Sequence, residues 1–420
     1  MSDQRTYLDH NATAPLRPEA RAAVLAAFDL VGNASSVHAE GRRSREAVEV
    51  AREHVAALVG AKPEEVVFTS GATEANNWVV RGGWDRLLVG ATEHDSVLAP
   101  ARSSRSDVIE LRCCAGGLVD VASIAGALPA LQPSLVAPHP YPLPTGGRGT
   151  CGAGGLVSIH LANAETGVVQ PIAEAAEVAR RSGYLVHGDA VQAVGRVAVD
   201  FRALGIDFMS ISAHKLGGPK GVGALVIREG IELRPLLAGG GQERRRRSGT
   251  ENVAAIAGFG AAAAAALEGL GDMARVTRLR DRLEAGVKAI TPDAVVIGSQ
   301  SSRIPNTSCI ALVGADASTL LIQLDLAGIA VSAGSACSSG KIGGSHVLAA
   351  MGIDSRLARG AIRVSLGPTT TEHDVERFIA AWDKIQRLRD RRIGNTIATG
   401  TIPTVTGAKA LAGANVTAGA

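Results

Sequence analysis

Residues 208–215 read FMSISAHK, a short apolar run that ends in polar residues and a lysine, Lys215. A similar run upstream ends in His187, and Asp189 and Gln192 follow it. In open α/β sheets, ligands bind outside the carboxyl ends of the strands. We therefore expect two strands to bring an amine, a carboxylate and several hydrogen-bonding groups to one edge of a sheet.

A thiol completes this set of reactive groups. Cys337 lies in VSAGSACSSGKIGG (331–344), a segment whose small residues have little bulk to pack. This composition predicts a mobile loop that can carry the thiol between a substrate and an external acceptor. An amine for a covalent link, an anion for a ring nitrogen and a sulfur nucleophile are together typical of a pyridoxal-phosphate enzyme. Cys309, in an apolar run, is instead expected to be buried and inert.

Each of these residues also has an ordinary structural interpretation. Lys215 alone could be a strand-end lysine that reaches solvent, and Asp189 alone could be a turn or cap residue. Residues 71–73 follow a strand and begin a helical pattern, so the free N–H groups there, with the Thr73 hydroxyl, either bind a phosphate or form an ordinary helix start. The segment GGPKGVG (217–223) imitates a phosphate loop, but it leads into a strand and is interpreted as a tight turn.

The composition is that of a globular protein: 420 residues, 46% apolar and 20% charged. The net charge is only +3 and basic residues concentrate only at 244–247, so no nucleic-acid partner is predicted. No stretch approaches the roughly 20 consecutive apolar residues of a membrane helix, and the polar start lacks a secretion signal. We therefore expect a cytoplasmic protein without a membrane partner. The five cysteines are odd in number and show no C-x-x-C spacing, so neither a disulfide framework nor a metal site is predicted.

Between about residues 45 and 230, helical periodicity alternates with short apolar runs, which predicts an α/β fold with a mostly parallel sheet. A helix is expected at 44–59, closed by Gly60. Strands are predicted at 66–69, 87–89, 156–161, 185–187, 208–211 and 224–227. Beyond Glu251 the predicted elements are a helix at 276–290, strands at 308–313 and 360–365, and a terminal helix at 372–389.

These elements predict two domains. The expected division is a large domain at 15–265, a small α+β domain formed by 1–14 and 266–394, and a disordered tail at 395–420. One segment interrupts the large domain: residues 137–155 read APHPYPLPTGGRGTCGAGG. Its prolines remove backbone donors and its glycines raise the entropic cost of ordering, so we interpret it as an inserted surface loop.

From about residue 6 to 390, the chain resembles the cysteine desulfurases of the NifS and IscS type. These are class V aminotransferases with the fold-type I pyridoxal-phosphate architecture, in which a mostly parallel seven-stranded sheet flanked by helices forms the large domain. The motifs that carry the resemblance are, in order, YLDHNATAP (7–15), NASSVHAEGR (33–42), TSGATEANN (69–77), ATEHDSV (91–97), NAETGVVQPI (163–172), HGDAVQ (187–192), SAHKLGGPKGVGAL (212–225), RSGTENVAAIAG (247–258), GSACSSG (334–340) and IRVSLG (362–367).

The resemblance implies a homodimer that binds pyridoxal 5'-phosphate. Lys215 is similar to the lysine that links to the cofactor and removes the Cα proton of the substrate, and Asp189 to the partner of the pyridine nitrogen. His94 resembles the histidine that stacks on the ring and exchanges protons. Arg363 resembles the clamp of the substrate carboxylate, and Asn11 is placed with the substrate. The other implied cofactor contacts are Ala72, Thr73, Ser212 and His214, with Thr250 of a second subunit, for the phosphate, and Asn163 and Gln192 for the phenolic oxygen.

The implied reaction converts L-cysteine to L-alanine and leaves a persulfide on Cys337, whose sulfur passes to a carrier or to an iron–sulfur scaffold protein; any metal contact is a transient one through Cys337. A selenocysteine lyase, or another class V lyase or aminotransferase, is the alternative among enzymes. A catalytically idle scaffold is the other alternative. The inserted segment next to the Asn163 strand keeps this alternative open. The family's Asn-Asn-Glu-Thr-Gly motif has Ala164 at its second position here, so only Asn163 is carried over from it.

Overall fold

The computed structural model describes residues 5–128, 154–333 and 344–398. The strands in these ranges are β1 (Thr6–Tyr7), β2 (Val66–Thr69), β3 (Arg86–Gly90), β4 (Asp107–Leu111), β5 (Gly155–Ser158), β6 (Leu185–Asp189), β7 (Phe208–Ser212), β8 (Gly223–Ile227), β9 (Val295–Ile297), β10 (Thr307–Ala311), β11 (Ile329–Ala330), β12 (Ser332–Ala333) and β13 (Ile362–Ser365). The helices are α1 (Pro18–Phe28), α2 (Ala39–Leu58), α3 (Ala72–Val80), α4 (Asp95–Arg102), α5 (Val121–Ala127), α6 (Ile172–Arg181), α7 (Val253–Glu268), α8 (Met273–Ile290), α9 (Ala317–Leu326), α10 (His346–Ala350), α11 (Ser355–Ala358) and α12 (Glu372–Ala398).

The predicted mostly parallel seven-stranded sheet is confirmed. Its strand order is β2-β8-β7-β6-β5-β3-β4, and only β8 runs antiparallel to its neighbours. The sequence did not predict β4, because this edge strand buries a single residue and exposes Asp107 and Glu110, so it has no apolar run. Residues on alternate sides of the strands belong to two different apolar cores, with α2, α6 and α7 covering one face and α3 and α4 the other.

The first strand after the predicted insert begins earlier than expected. Gly155 already pairs with β3, so the last residue of the predicted loop 137–155 belongs to the sheet. A Cβ atom there would lie 1.8 Å from the Tyr184 ring, so close packing under Tyr184 requires glycine. The strand also ends earlier, at Ser158, although Ile159 and Leu161 still donate backbone hydrogen bonds to the β6 strand. Residues 137–153 of the predicted loop lie outside the described residues.

A second sheet has the antiparallel order β12-β13-β10-β9 and packs on a separate apolar core. That core combines Leu8, near the start of the chain, with side chains of α8, α9 and α12. The terminal helix α12 continues to Ala398. The first four residues of the expected tail, 395–398, belong to this helix. Residues 399–420 lie outside the described residues.

One helical stretch of the described chain, 253–290, is long and apolar enough to cross a membrane by length and composition alone. Half of its most apolar window is buried within the protein. Its first part, α7, approaches α2 so closely that a Cβ atom on Gly260 would lie 2.4 Å from the backbone of Ala51. Helix α7 is therefore an internal helix of this fold.

Candidate active site

A cavity of about 720 Å³ lies at the carboxyl ends of the parallel strands. Eleven of the thirteen residues that the sequence nominated line it: Asn11, Ala72, Thr73, His94, Asn163, Asp189, Gln192, Ser212, His214, Lys215 and Arg363. The other two are not among its described lining. Thr250 is exposed on the surface of its own chain, and Cys337 lies outside the described residues.

Lys215 ends a short 3₁₀ turn that follows β7. Its Nζ donates hydrogen bonds to the backbone oxygens of Asn11 (2.6 Å) and Ala12 (3.0 Å). The neighbouring His214 is held by the Thr13 hydroxyl at 3.2 Å. Burial, together with the charge of Lys215 and other nearby cations, lowers the pKa of His214 to about 4. At neutral pH the histidine is therefore uncharged, and the lysine does not face a second cation there.

Asp189 ends β6 and is buried. One carboxylate oxygen accepts a hydrogen bond from the Asn76 side chain at 2.8 Å, and the other accepts one from the Val191 backbone at 3.0 Å. These two bonds fix the plane of the carboxylate in the cavity wall. Asn76 was not predicted as a functional residue, although it lies in the motif TSGATEANN, one helical turn after Ala72.

His94 is linked to Asp189 through two side chains. The backbone N–H of Ser96 donates to His94 Nδ1 at 3.1 Å, so this ring nitrogen carries no proton and a neutral ring is protonated at Nε2. The Ser96 hydroxyl also donates to Nδ1, at 2.7 Å, and accepts from the Asn76 amide at 2.8 Å. Because the same amide group bonds Asp189, the sequence His94–Ser96–Asn76–Asp189 is a continuous hydrogen-bonded chain.

Asn163 and Arg363 also line the cavity. The Asn163 amide oxygen accepts from the backbone N–H groups of Glu165 (2.9 Å) and Thr166 (3.0 Å), and its nitrogen donates to Thr92. Arg363 is buried and pairs with Asp9 at 2.9 Å. The Ala164 carbonyl accepts from Arg363 and from the Asn11 side chain. Position 164 therefore contributes through its backbone, which is present whatever the side chain is.

The Asn11 side chain is committed to structural bonds. Its amide hydrogens go to the Ala164 carbonyl and to the Thr307 hydroxyl, and its oxygen accepts from Asn306. Its backbone oxygen holds Lys215 and Gln192. Asn11 thus joins the start of the chain, the second sheet and the lysine turn.

The N-terminus of α3 closes one end of the cavity, with Gly71 as the residue before the helix. The first backbone N–H groups of a helix have no partner within the helix and attract anions. Glycine is required opposite this turn, because a Cβ atom on Gly223 would lie 2.8 Å from Gly71. The Glu74 carboxylate accepts hydrogen bonds from the Arg247 side chain and the Ser70 backbone N–H. Burial opposes its ionisation, but these hydrogen bonds lower the pKa of Glu74 overall.

Several buried polar atoms of the cavity wall have no hydrogen-bond partner among the described residues. These atoms are Asn76 Oδ1, Thr92 Oγ1, Glu93 Oε2, His160 Nε2 and Arg363 Nε. Buried polar groups in folded proteins are normally satisfied. The wall therefore suits a polar, hydrogen-bonding ligand. Glu93, whose other oxygen accepts from His160 at 3.0 Å, has its pKa raised by burial.

The residues after the segment that contains Cys337 line this cavity, and those before it contact the partner of a lining residue. Before it, the Ser332 hydroxyl donates to Asp9, the partner of Arg363. After it, Ser345 donates to Glu165 at 2.6 Å and the His346 ring contacts the Glu93 carbonyl at 2.8 Å. Cys309 is fully buried instead, as predicted, and burial raises the pKa of its thiol to about 12.

Comparison with known proteins identifies the family of this fold. The model of the class V aminotransferase family matches residues 6–130 and 153–378. The chain belongs to this family. The residues between the two matched ranges coincide with most of the predicted insert at 137–155.

The relatives with similar sequences are cysteine desulfurases. The chain is 41% identical over 388 residues to a cysteine desulfurase of Cereibacter sphaeroides, covering 90% of this chain and 94% of the relative. It is 40% identical over 386 residues to an IscS-like cysteine desulfurase of Mycobacterium tuberculosis, covering 88% and 93%. Its fold matches a NifS-like protein from Rickettsia africae with a TM-score of 0.81 and 34% identity, covering 91% of this chain and all of the other. The resemblance to NifS- and IscS-type cysteine desulfurases is thus confirmed, and the chain is an enzyme of this group.

Proposed function

We propose that this enzyme converts L-cysteine to L-alanine and transfers the sulfur to the thiol of Cys337. The observation that carries the proposal is the meeting of Lys215, Asp189 and the N-terminus of α3 around one cavity of about 720 Å³. An amine, a carboxylate and an anion site at these three positions match the aldehyde, ring nitrogen and phosphate of pyridoxal phosphate. The idle-scaffold alternative is not favoured, because the backbone of Ala164 still holds Arg363.

Pyridoxal phosphate fits the residues that are present. Lys215 would link to it, and Asp189 would pair with its ring nitrogen. Ala72, Thr73, Ser212 and His214 would hold its phosphate, and Asn163 and Gln192 its phenolic oxygen. When bound, the cofactor supplies an electron sink for the substrate amino acid. The unpartnered polar atoms of the cavity wall and the free N–H groups of α3 support this fit.

The chain's own residues would perform the remaining tasks. Lys215 would remove the Cα proton, and His94, protonated at Nε2, would exchange protons with the substrate. Arg363, with its buried Nε directed at no described partner, would hold the substrate carboxylate. Asn11 lines the same wall, but its amide is committed, so we assign it to positioning Lys215 and Arg363 rather than to direct substrate binding.

Sulfur transfer requires a thiolate and an acceptor. The Cys337 thiolate would attack the substrate sulfur, so that an S–S bond forms while the Cβ–S bond breaks, and the carbon skeleton leaves as alanine after protonation. Ser345, after the Cys337 segment, bonds Glu165 of the cavity wall, and Ser332, before it, bonds Asp9, the partner of Arg363; these contacts support this assignment. The persulfide would then pass its sulfur to a carrier or an iron–sulfur scaffold protein in the cytoplasm.

Thr250 supports a homodimer with shared sites. It is exposed on its own chain, so a role at a phosphate requires the cavity of a partner. Exposed apolar side chains at the end of α1 and just beyond it also suit an interface: Phe28 is 71% exposed, Val31 92% and Val37 86%.

The two separate apolar cores support the domain division proposed from the sequence, at about residue 265.

Alanine and sulfide release from L-cysteine, with added pyridoxal phosphate and a dithiol reductant that reduces the persulfide to sulfide, tests the proposed function. The wild type should form both products, and Lys215→Ala should form neither and show no visible absorption after incubation with the cofactor. Cys337→Ser should bind the cofactor but release no sulfide. Lys288→Ala, an exposed lysine, and Cys309→Ala are the matched controls. A wild type that stays colourless with pyridoxal phosphate would refute the proposal.

A further inference from the structure

Arg196 is a buried cation just behind the wall of the cavity. Only 6% of the residue is exposed. Its Nη1 donates to both the backbone oxygen and the side-chain oxygen of Gln192, each at 2.7 Å, and its Nη2 donates to the Lys215 carbonyl at 3.4 Å. Burial, and then the like charge of Arg363, lower the pKa of Arg196 to about 9. Among the residues that the structure describes, no carboxylate pairs with it.

A buried guanidinium without a carboxylate is energetically costly, so its position calls for a compensating role. We propose that Arg196 is a positioning residue that orients the Gln192 amide and supports an anionic ligand oxygen with its charge. The proposal deepens the proposed function and rests on it, because it takes the ligand of Gln192 to be the phenolic oxygen of pyridoxal phosphate.

The hydrogen bonds determine which end of the Gln192 amide faces the cavity. A guanidinium can only donate, so the atom that bonds Arg196 must be the amide oxygen. The amide nitrogen therefore faces the other way, where it donates one hydrogen to the Asn11 carbonyl at 3.2 Å. Its second hydrogen remains for a ligand in the cavity that Gln192 lines. Without Arg196, the two ends of this amide would be nearly equivalent in shape.

Arg196 also joins the two loops that would contact the cofactor. Its side chain bridges the residue at the phenolic oxygen and the backbone of the lysine that would carry the covalent link. A hydrogen-bond donor at an oxygen ligand, with a positive charge behind that donor, favours the ionised form of the oxygen. The bound cofactor should therefore be more strongly held, and more fully ionised at its phenolic oxygen, than it would be without Arg196.

A double-mutant cycle tests this coupling. We would measure the apparent dissociation constant for pyridoxal phosphate by absorbance titration, and the ratio of visible to near-ultraviolet absorption at one fixed pH, for the wild type, Arg196→Met, Gln192→Ala and the double variant. Arg196→Met should weaken binding by about tenfold, the effect of losing charge-assisted hydrogen bonds, and lower the absorption ratio. In the Gln192→Ala background, the same substitution should change both quantities by less than about twofold.

Two further variants keep the test decisive. Arg280→Met removes a similarly buried arginine, 8% exposed, that bonds the Ile304 carbonyl away from the cavity, and should leave both readouts unchanged. If Arg196→Met does not fold, Arg196→Lys gives the same comparison. Lysine retains the positive charge but lacks the planar set of N–H donors of the guanidinium. Equal effects of the Arg196 substitution in both backgrounds would overturn the positioning role. A wild type that binds no pyridoxal phosphate would instead refute the proposed function itself.

Discussion

At the scale of single residues, the site depends on side chains that hold other side chains. Asn76 and Ser96 touch no reacting atom in the proposed reaction, yet they connect His94 to Asp189. The motifs predicted both ends of this chain of hydrogen bonds. The middle could not be predicted, because a Ser or Asn within a helix signals nothing by itself. Only the packing of α3 against α4 brings Asn76 and Ser96 together.

Ser96→Ala should lower the rate of sulfide release. The variant loses the hydroxyl that orients His94 and accepts from Asn76, while the backbone bond that fixes the ring tautomer remains. Two neutral hydrogen bonds of ordinary strength are lost, so kcat should fall by about tenfold with little change in KM for L-cysteine. Steady-state kinetics measure this split. Ser123→Ala, in helix α5, removes a hydroxyl that bonds the Asp120 backbone and is the control. An unchanged kcat in Ser96→Ala would refute the linkage.

His187 lies in the middle of the large sheet and should make stability depend on pH. Its ring nitrogens bond the hydroxyls of Ser158 (2.8 Å) and Ser210 (2.9 Å), and burial lowers its pKa to about 4, against an ordinary value of 6.5. Because the unfolded state binds the proton more tightly, this histidine's contribution is complete above about pH 6.5 and is lost as the pH falls toward 4. The loss amounts to about 3 kcal/mol across that interval.

Denaturant unfolding of the cofactor-free protein at several pH values between 7.5 and 4.5 measures this dependence. His187→Asn should reduce the slope of unfolding free energy against pH by up to about 1.4 kcal/mol per unit, the effect of one proton. His10 and His214, whose pKa values are also near 4, keep part of the slope. His373→Asn, exposed on α12, is the control variant. Parallel curves for the wild type and His187→Asn would show that this histidine does not carry the effect.

At the scale of elements, the strands that end at functional residues were the most predictable. The buried strands β6, β7 and β8 read as apolar runs, because both faces of the sheet are covered. The edge strand β4 and the exact start of β5 were not predicted, since the first has no apolar pattern and the second begins with Gly155. A glycine usually signals a loop, and here only the Tyr184 ring above it explains why it lies in a strand.

The predicted insert should be dispensable up to, but not including, the start of β5. Replacing 137–153 by a three-residue Gly-Ser linker should preserve cofactor binding and activity, since each halving of loop length changes the closure free energy by only about 0.6 kcal/mol. Extending the deletion through Gly155 removes a paired residue of β5 and the Gly154 contacts with Asp85. That second variant should lose several degrees of thermal stability. Inactivity of the first variant would show that the segment is integral to the site.

Limited proteolysis gives an independent measure of the same segment. Its prolines, glycines and scarce large apolar residues predict the first cleavage of the wild type within 137–153. The variant with the short linker should resist the protease for longer. First cleavage at another position in the wild type would contradict the interpretation as a surface insertion.

At the scale of the whole molecule, each site is expected to need two chains. Lys215 lines the cavity of its own chain, whereas Thr250 is exposed outside it. If Thr250 completes the phosphate site of the partner, a lysine defect and a threonine defect in different chains fall into the same site of a mixed dimer. The other site of that dimer is then intact. Two inactive variants should therefore restore activity when they are combined.

The combination to test is Lys215→Ala with Thr250→Asp, in which a carboxylate would face the cofactor phosphate and repel it. Each variant alone should have little activity. When the two are co-expressed in equal amounts, the unsorted mixture should recover about a quarter of the wild-type activity per chain, because half of randomly paired dimers carry one intact site of two. Mixed dimers purified through two different tags should recover about half. A mixture of separately purified variants that do not exchange subunits is the control and should stay inactive. Full activity of Thr250→Asp alone, or no recovery in the mixed dimer, would show that each cavity is completed by its own chain. The exposed side chains of Phe28 and Val31 would then have to be covered by a different partner.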